Sequence, residues 1–392
     1  MTGNSKFMRA KFHNLYILVL CFLYALFRGK ATRKVVNPSK ILILQMAKLG
    51  DMVCTTPMFR AVKKKYPKAK LYVIGNAINK EILLGNNDID EYIVWSKDIF
   101  WELAKQLRRE KIDFACQTAP NFGFLATFYL AGIPSMATPK IENGYCPWET
   151  RAYKILRQLA ILIPHRMGSY APREYLKLLE PIDIHTENTK KHLSFSKEAK
   201  KKIEELFLEN EIKEKDFLVC ISPAAGNKIK QWPADRFAEV ADHIYKKYGA
   251  RIFIGGAKND RTEVLEMVRG LNKETKAINT LDKLNLDELK AVMFKMSMFI
   301  SVDTGPIYIA EAFGVPTVDI TGPIDENEQP PIGKLNRIVN IKNRKKPELF
   351  VMNAKTYDDV EARRQTEEIT TEMVTNEIDD LYNFIDKNER KI

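Results

Sequence analysis

Short apolar runs alternate along most of the chain with longer stretches whose apolar positions recur at helical spacing. Ile41 to Leu44, Leu71 to Ile74, Tyr92 to Trp95 and Asp113 to Gln117 read as buried strands, with helices at Val53 to Lys65 and Trp101 to Glu110 between them. Phe122 to Ala131 is an apolar helix assigned to the core, and residues 147–180 read as helical and basic. After a charged amphipathic helix at Ser196 to Asn210 the alternation restarts. Strands are expected at Phe217 to Ile221, Arg251 to Gly255, Met298 to Val302 and Thr317 to Thr321. Helices are expected at Ala234 to Tyr248, Asp260 to Gly270, Leu286 to Met296 and Pro306 to Phe313. Strands separated by helices pair in parallel through right-handed crossovers. The pattern therefore predicts an α/β protein of two Rossmann-like domains, 39–195 and 216–350, joined by a linker at 196–215 and facing across a cleft. A tail at 351–392 carries a last helix, Glu367 to Lys387, whose apolar stripe leaves it free to brace the first domain.

The N-terminal segment, 1–38, departs from this pattern. Leu15 to Phe27 is apolar on all sides and flanked by basic residues. Thirteen helical residues reach about 20 Å, short of the roughly 30 Å hydrocarbon core of a bilayer. An interfacial or re-entrant anchor, a signal peptide and a helix buried against the body compete here. No small-residue cleavage site follows at Arg28 to Lys34, so the reading adopted is a membrane-seeking helix at the cytoplasmic face of the inner membrane.

The 392 residues suffice for two domains and appendages, and 45% hydrophobic with 29% charged residues is the balance of a folded body. The net charge of +12 gains meaning from its location, because nine lysines and arginines precede Asp51, the first acidic residue. That asymmetry suits an anionic membrane surface and argues against nucleic acid as a partner. Five scattered cysteines and five histidines form no zinc-ligand pattern, so no metal is expected.

Candidate chemistry falls at the strand ends, where open α/β sheets bind ligands. Asp303-Thr304-Gly305-Pro306 links a strand to a helix whose free N–H groups suit a diphosphate, although an ordinary strand-to-helix turn looks the same. Lys48-Leu49-Gly50-Asp51 follows the first strand, and Asp51 reads either as a general base or as a helix N-cap. Gly226, Lys228 and Lys230 lie in a small-residue loop whose cations would balance a leaving diphosphate; a solvated basic loop is the plainer alternative. At Gly256 and Asp260 a glycine turn offers contacts to a nucleoside, or else a simple helix cap. Neither a P-loop nor a Gly-x-Gly-x-x-Gly fingerprint is present.

Taken in order, Ile41 to Leu44 with Leu49-Gly50-Asp51 and Thr55-Thr56-Pro57, Lys230-x-Trp232-Pro233, Asp303-Thr304-Gly305-Pro306, Gly314-x-Pro316-Thr317 and Gly322-Pro323 resemble the ADP-heptose:lipopolysaccharide heptosyltransferases, glycosyltransferase family 9. The resemblance covers roughly residues 40 to 345. It implies a GT-B fold, an inverting transfer without a metal, an ADP-sugar donor and a lipopolysaccharide core or other lipid-linked acceptor. By position it makes Asp51 the base, Lys230 the contact to the leaving phosphate, and Asp303, Thr304 and Gly305 the donor loop. The family usually has His where this chain has Tyr308, here read as donor-facing, and a basic residue where Gln45 stands, a loss that Lys48 can offset. A nucleotide-sugar epimerase of similar fold and a degenerate, non-catalytic binding protein are the alternative readings.

Overall fold

The computed structural model describes residues 2–96 and 100–389, with side chains from residue 12 to 387 in the terminal helices. The side chains of Lys6, Arg9 and Lys11, part of the N-terminal charge, lie outside the described residues.

Two six-stranded parallel sheets carry the fold. The first holds β1 (Lys40–Leu44), β2 (Lys70–Gly75), β3 (Glu91–Val94), β4 (Phe114–Gln117), β5 (Ser135–Ile141) and β6 (Ile161–His165), in the order β3-β2-β1-β4-β5-β6. The second holds β7 (Leu218–Ser222), β8 (Arg251–Ile254), β9 (Ala277–Asn279), β10 (Met298–Val302), β11 (Thr317–Ile320) and β12 (Asn336–Val339), in the order β12-β11-β10-β7-β8-β9. Central strands such as β1, β4, β7 and β10 are buried along almost their whole length, as strands covered on both faces by helices must be.

Several expectations need correction. Residues 147–180 are not one helical stretch, because β6 runs through them between the helices Arg151–Leu156 and Ala171–Lys177. Pro164 and the half-exposed Ile161 and Leu162 hide β6 from a pattern reading; it is an edge strand, the place where a sheet tolerates proline. The last helix, Thr371–Glu389, stays with the second sheet. It buries Val374, Ile378 and Leu381 in the core shared with Val318, Ile320 and Val339, because its apolar stripe matches that face. The helix Lys197–Glu209, read as a linker, packs on Leu286–Met293 of the second domain. Phe122–Leu130 is core, with Phe124, Leu125 and Phe128 almost fully enclosed.

The N-terminal helix is Thr2–Arg28, and its two faces differ. Ile17 and Cys21 are buried against the first domain, whereas Phe12, Leu15, Val19, Leu23, Leu26 and Phe27 are exposed. Among the described residues no helix is long and apolar enough to cross a membrane.

Candidate active site

Two strand-to-helix turns meet between the sheets. In the first domain β1 leads into the helix Leu49–Lys65; in the second, β10 leads into Gly305–Ala312. A Cβ on Gly50 would lie 2.7 Å from the Tyr308 ring, and one on Gly305 would lie 2.8 Å from the Leu49 side chain. Each glycine is thus the space into which the other domain's side chain fits. Close approach of the two domains, more than backbone freedom, requires glycine at both positions.

Asp51 sits at the third helical position, and Lys48 is the N-cap, so the capping role does not fall to Asp51. Its Oδ1 accepts a hydrogen bond from Gln329 Nε2 at 3.1 Å, across the domain boundary. Burial raises its pKa above the usual aspartate value, and the nearby Asp303 charge adds to this; the Gln329 bond, Lys230 and the Lys48 backbone oppose it. Its direct side-chain partner is neutral, which leaves a carboxylate more basic than an exposed one.

Asp303 has the opposite setting. Lys230 Nζ lies 2.7 Å from its Oδ2 and also donates to its backbone carbonyl, while the Tyr308 hydroxyl donates to its Oδ1. Tyr308 is 2% exposed. In this arrangement its ring fills the space beside Gly50 and its hydroxyl orients Asp303. Gln45, also buried, donates to Thr55 and accepts from the Ala47 N–H, so it shapes the turn before Asp51. Lys48 reaches across to the Gly226 carbonyl at 3.1 Å and puts a cation at the cleft where Gln45 supplies none. Burial lowers the Lys48 pKa, and the nearby Lys230 lowers it further.

Lys48, Asp51, Lys230 and Asp303 line one cavity of about 150 Å³, together with Asp325, Glu328 and Gln329. That is below the roughly 300 Å³ at which ligand pockets begin, so this closed arrangement is too tight for a nucleotide sugar. At Thr304, Gly305 and Pro306 the closed arrangement seats Leu49 over the helix start. Pro306 has no N–H, and the Ile307 N–H returns to the Thr304 carbonyl at 3.1 Å.

The remaining candidates lie outside the cavity lining. Lys228 pairs with Glu263, not with the cleft. Asp260 accepts from the Ala257 N–H at 2.9 Å, a local cap, and a Cβ on Gly256 would lie 2.7 Å from Val264, which makes its smallness a packing need. Gly226 touches the site only through Lys48. Trp232 is fully buried and donates to the Ile369 carbonyl at 2.8 Å, which fixes the chain's return before the last helix.

Four partners escaped sequence reading. Gln329 and Glu328 lie in the loop after β11, where Glu328 accepts from the Gly168 N–H at 2.7 Å and thereby ties the domains together. Lys191, 2% exposed, pairs with Glu311 at 2.6 Å and donates to the Tyr170 hydroxyl at 2.8 Å. The polar run Asp325-Glu326-Asn327-Glu328-Gln329 after Gly322-Pro323 was the available signal for the first pair; Lys191 and Glu311 meet 120 positions apart with no local pattern.

A family model described as glycosyltransferase family 9 (heptosyltransferase) matches residues 100–356. Lipopolysaccharide heptosyltransferase 3 of Escherichia coli K12 is 28% identical over 287 residues, covering 70% of this chain and 80% of that protein. The family 9 glycosyl transferase of Veillonella parvula shares the fold at TM-score 0.70 and 20% identity, over 90% of this chain and 99% of that one. Escherichia coli heptosyltransferase WaaC, solved with ADP-2-deoxy-2-fluoro heptose, does so at TM-score 0.60 and 16% identity, over 89% and 99%. A match across most of the chain, on two parallel sheets that bring the cleft residues together, shows that this glycosyltransferase belongs to family 9, the heptosyltransferases.

Proposed function

We propose that the protein transfers heptose, with inversion, from ADP-heptose to a sugar of the lipopolysaccharide core, with Asp51 as the general base. The observation that carries this reading is the pairing of opposites in one cavity: a carboxylate in no ion pair among the described residues faces a lysine held on the other domain. Asp51 would take the proton from the acceptor hydroxyl as that oxygen attacks the anomeric carbon, and the bond to the ADP oxygen breaks. Lys230 spends two N–H groups on Asp303 and keeps the third for the departing phosphate, with Lys48 beside it. These cations supply the charge that a metal supplies elsewhere. The WaaC structure with an ADP-heptose analogue supports the choice of donor by analogy. A lipid-borne acceptor would place the enzyme at the cytoplasmic face of the inner membrane, where the N-terminal helix seeks the lipid surface.

Calorimetric titration with ADP, UDP and GDP, followed by transfer from ADP-heptose to heptose-deficient core oligosaccharide, tests the reading. ADP selectivity with transfer supports it. Selective binding of UDP or GDP would replace the donor, and binding without any turnover would favour a non-catalytic protein.

A further inference from the structure

We propose that the outer face of the N-terminal helix, together with the groove it forms against the helix Phe100–Glu110, docks the enzyme on an anionic bilayer with the rim of the cleft at the lipid surface. This rests on the lipid-borne acceptor proposed above and names the surface that meets the lipid.

The helix is built to lie on a surface. Ile17, Cys21, Tyr24 and Arg28 follow helical spacing along the inner face, and Phe12, Leu15, Val19, Leu23, Leu26 and Phe27 follow it along the outer one. The exposed stripe is about 22 Å long, shorter than the hydrocarbon core is thick. Its inner side is stitched down. The Arg28 guanidinium donates to the Tyr129 and Ile133 carbonyls, and the chain beyond it bonds Ala31 N to Leu159 O at 2.8 Å and Met136 N to Ala31 O at 2.9 Å. A helix fixed along one face and apolar along the other lies in the interface plane and does not cross it. Six large apolar side chains gathered in one exposed stripe mark an interaction surface, where single scattered ones would not.

Charge chooses the occupant. Lys30 and Arg33 follow the helix, Lys105 stands on the rim of the groove, and all three are exposed without an ion pair among the described residues. A second copy docked on this face would bring these cations together, whereas anionic headgroups complement them. The groove itself, of about 530 Å³, runs between Leu20, Leu23 and Phe27 on one side and Trp101 and Ala104 on the other. It is apolar inside and cationic at the edge, which fits an acyl chain below a phosphate. Trp101, 43% exposed, has the amphipathic ring favoured at such interfaces.

Orientation follows from the two ends of the helix. Arg28 caps the carbonyls ahead of β5, at the amino-end side of the strands, whereas the His13 ring lies 6.4 Å from Phe100, in the connection leaving the carboxyl end of β3. The helix therefore climbs to the level of the cleft, and a bilayer on its outer face reaches the rim where an acceptor sugar would enter.

The test is flotation of the full chain with vesicles of phosphatidylcholine alone or mixed with phosphatidylglycerol, alongside ultracentrifugation without lipid. The double variant Leu23→Asp/Phe27→Asp, at exposed positions, should lose about tenfold or more of the vesicle-bound fraction with ADP affinity and melting temperature unchanged. Lys30→Glu/Lys105→Glu should lose binding to the mixed vesicles only. Flotation of the double variant equal to the parent, or a parent dimer that this variant splits, would overturn the proposal. Transfer to a soluble core oligosaccharide should be the same in parent and double variant. If the parent binds vesicles through this face but transfers no heptose, the proposed reaction fails and the docking surface stands.

Discussion

The turns at Asp51 and Asp303 are built alike and behave as opposites. Both follow a central parallel strand, both open a helix with a glycine nearby, and each glycine receives a side chain from the other domain. Yet Asp51 meets a neutral amide, while Asp303 is gripped by a lysine and a buried phenol. The backbone motif fixes where a carboxylate stands; the residues brought to it from elsewhere in the chain decide whether it is left beside a neutral amide or held by a cation.

The largest expected effect comes from removing the proposed base. Asp51→Asn keeps the shape of the turn and the Gln329 contact, and should lower transfer by about 10²- to 10⁴-fold, the usual weight of a general base. Next is the pair that locks the second turn's helix to the first domain, a buried Lys191 on a partly buried Glu311. Lys191→Met leaves Glu311 without its cation and should cost about 3 kcal/mol of unfolding free energy, the low end for a broken buried pair, read by urea titration. A smaller effect is expected of Tyr308→Phe, which removes one hydrogen bond to the Asp303 carboxylate. A loss of about 1.5–3 kcal/mol in stability or ADP affinity would confirm that the phenol orients this turn. No change in either would make the two turns more alike than the structure implies.

Two pH effects sharpen the same contrast. Because burial raises the Asp51 pKa and a base must be ionised, transfer should fall on acidification at a pH above the roughly 4 of an ordinary aspartate. Glu328, which bridges the domains, has its pKa raised to about 7 by burial. A raised folded value means that its contribution to stability is complete below the ordinary glutamate range. That contribution is lost as pH rises from there through about 7, a modest slope that Glu328→Gln should flatten.

Much of this was legible in the chain. Ile41 to Leu44 and Met298 to Val302 announce buried parallel strands, and the polar turns after them locate Asp51 and Asp303. The strands missed by pattern were β5, β6, β9 and β12; three of these are sheet edges, short or interrupted by residues such as Pro164, where one-sided burial leaves little apolar signal. Site residues were legible where they sit in the turn itself. Gln329, Lys191 and the packing of the Tyr308 ring on Gly50 were not, because those contacts come from the opposite domain. Asp260 and Lys228 differ: their partners are local, the Ala257 N–H and Glu263, and turn them away from the cavity.

The most direct measurement is to compare the Asp51→Asn variant with the parent in two readouts on the same preparations: ADP affinity by calorimetry and heptose transfer at saturating donor. The account predicts an unchanged dissociation constant and a transfer rate that collapses. Parallel loss of both, or transfer that survives, would contradict the assignment of Asp51 as the base.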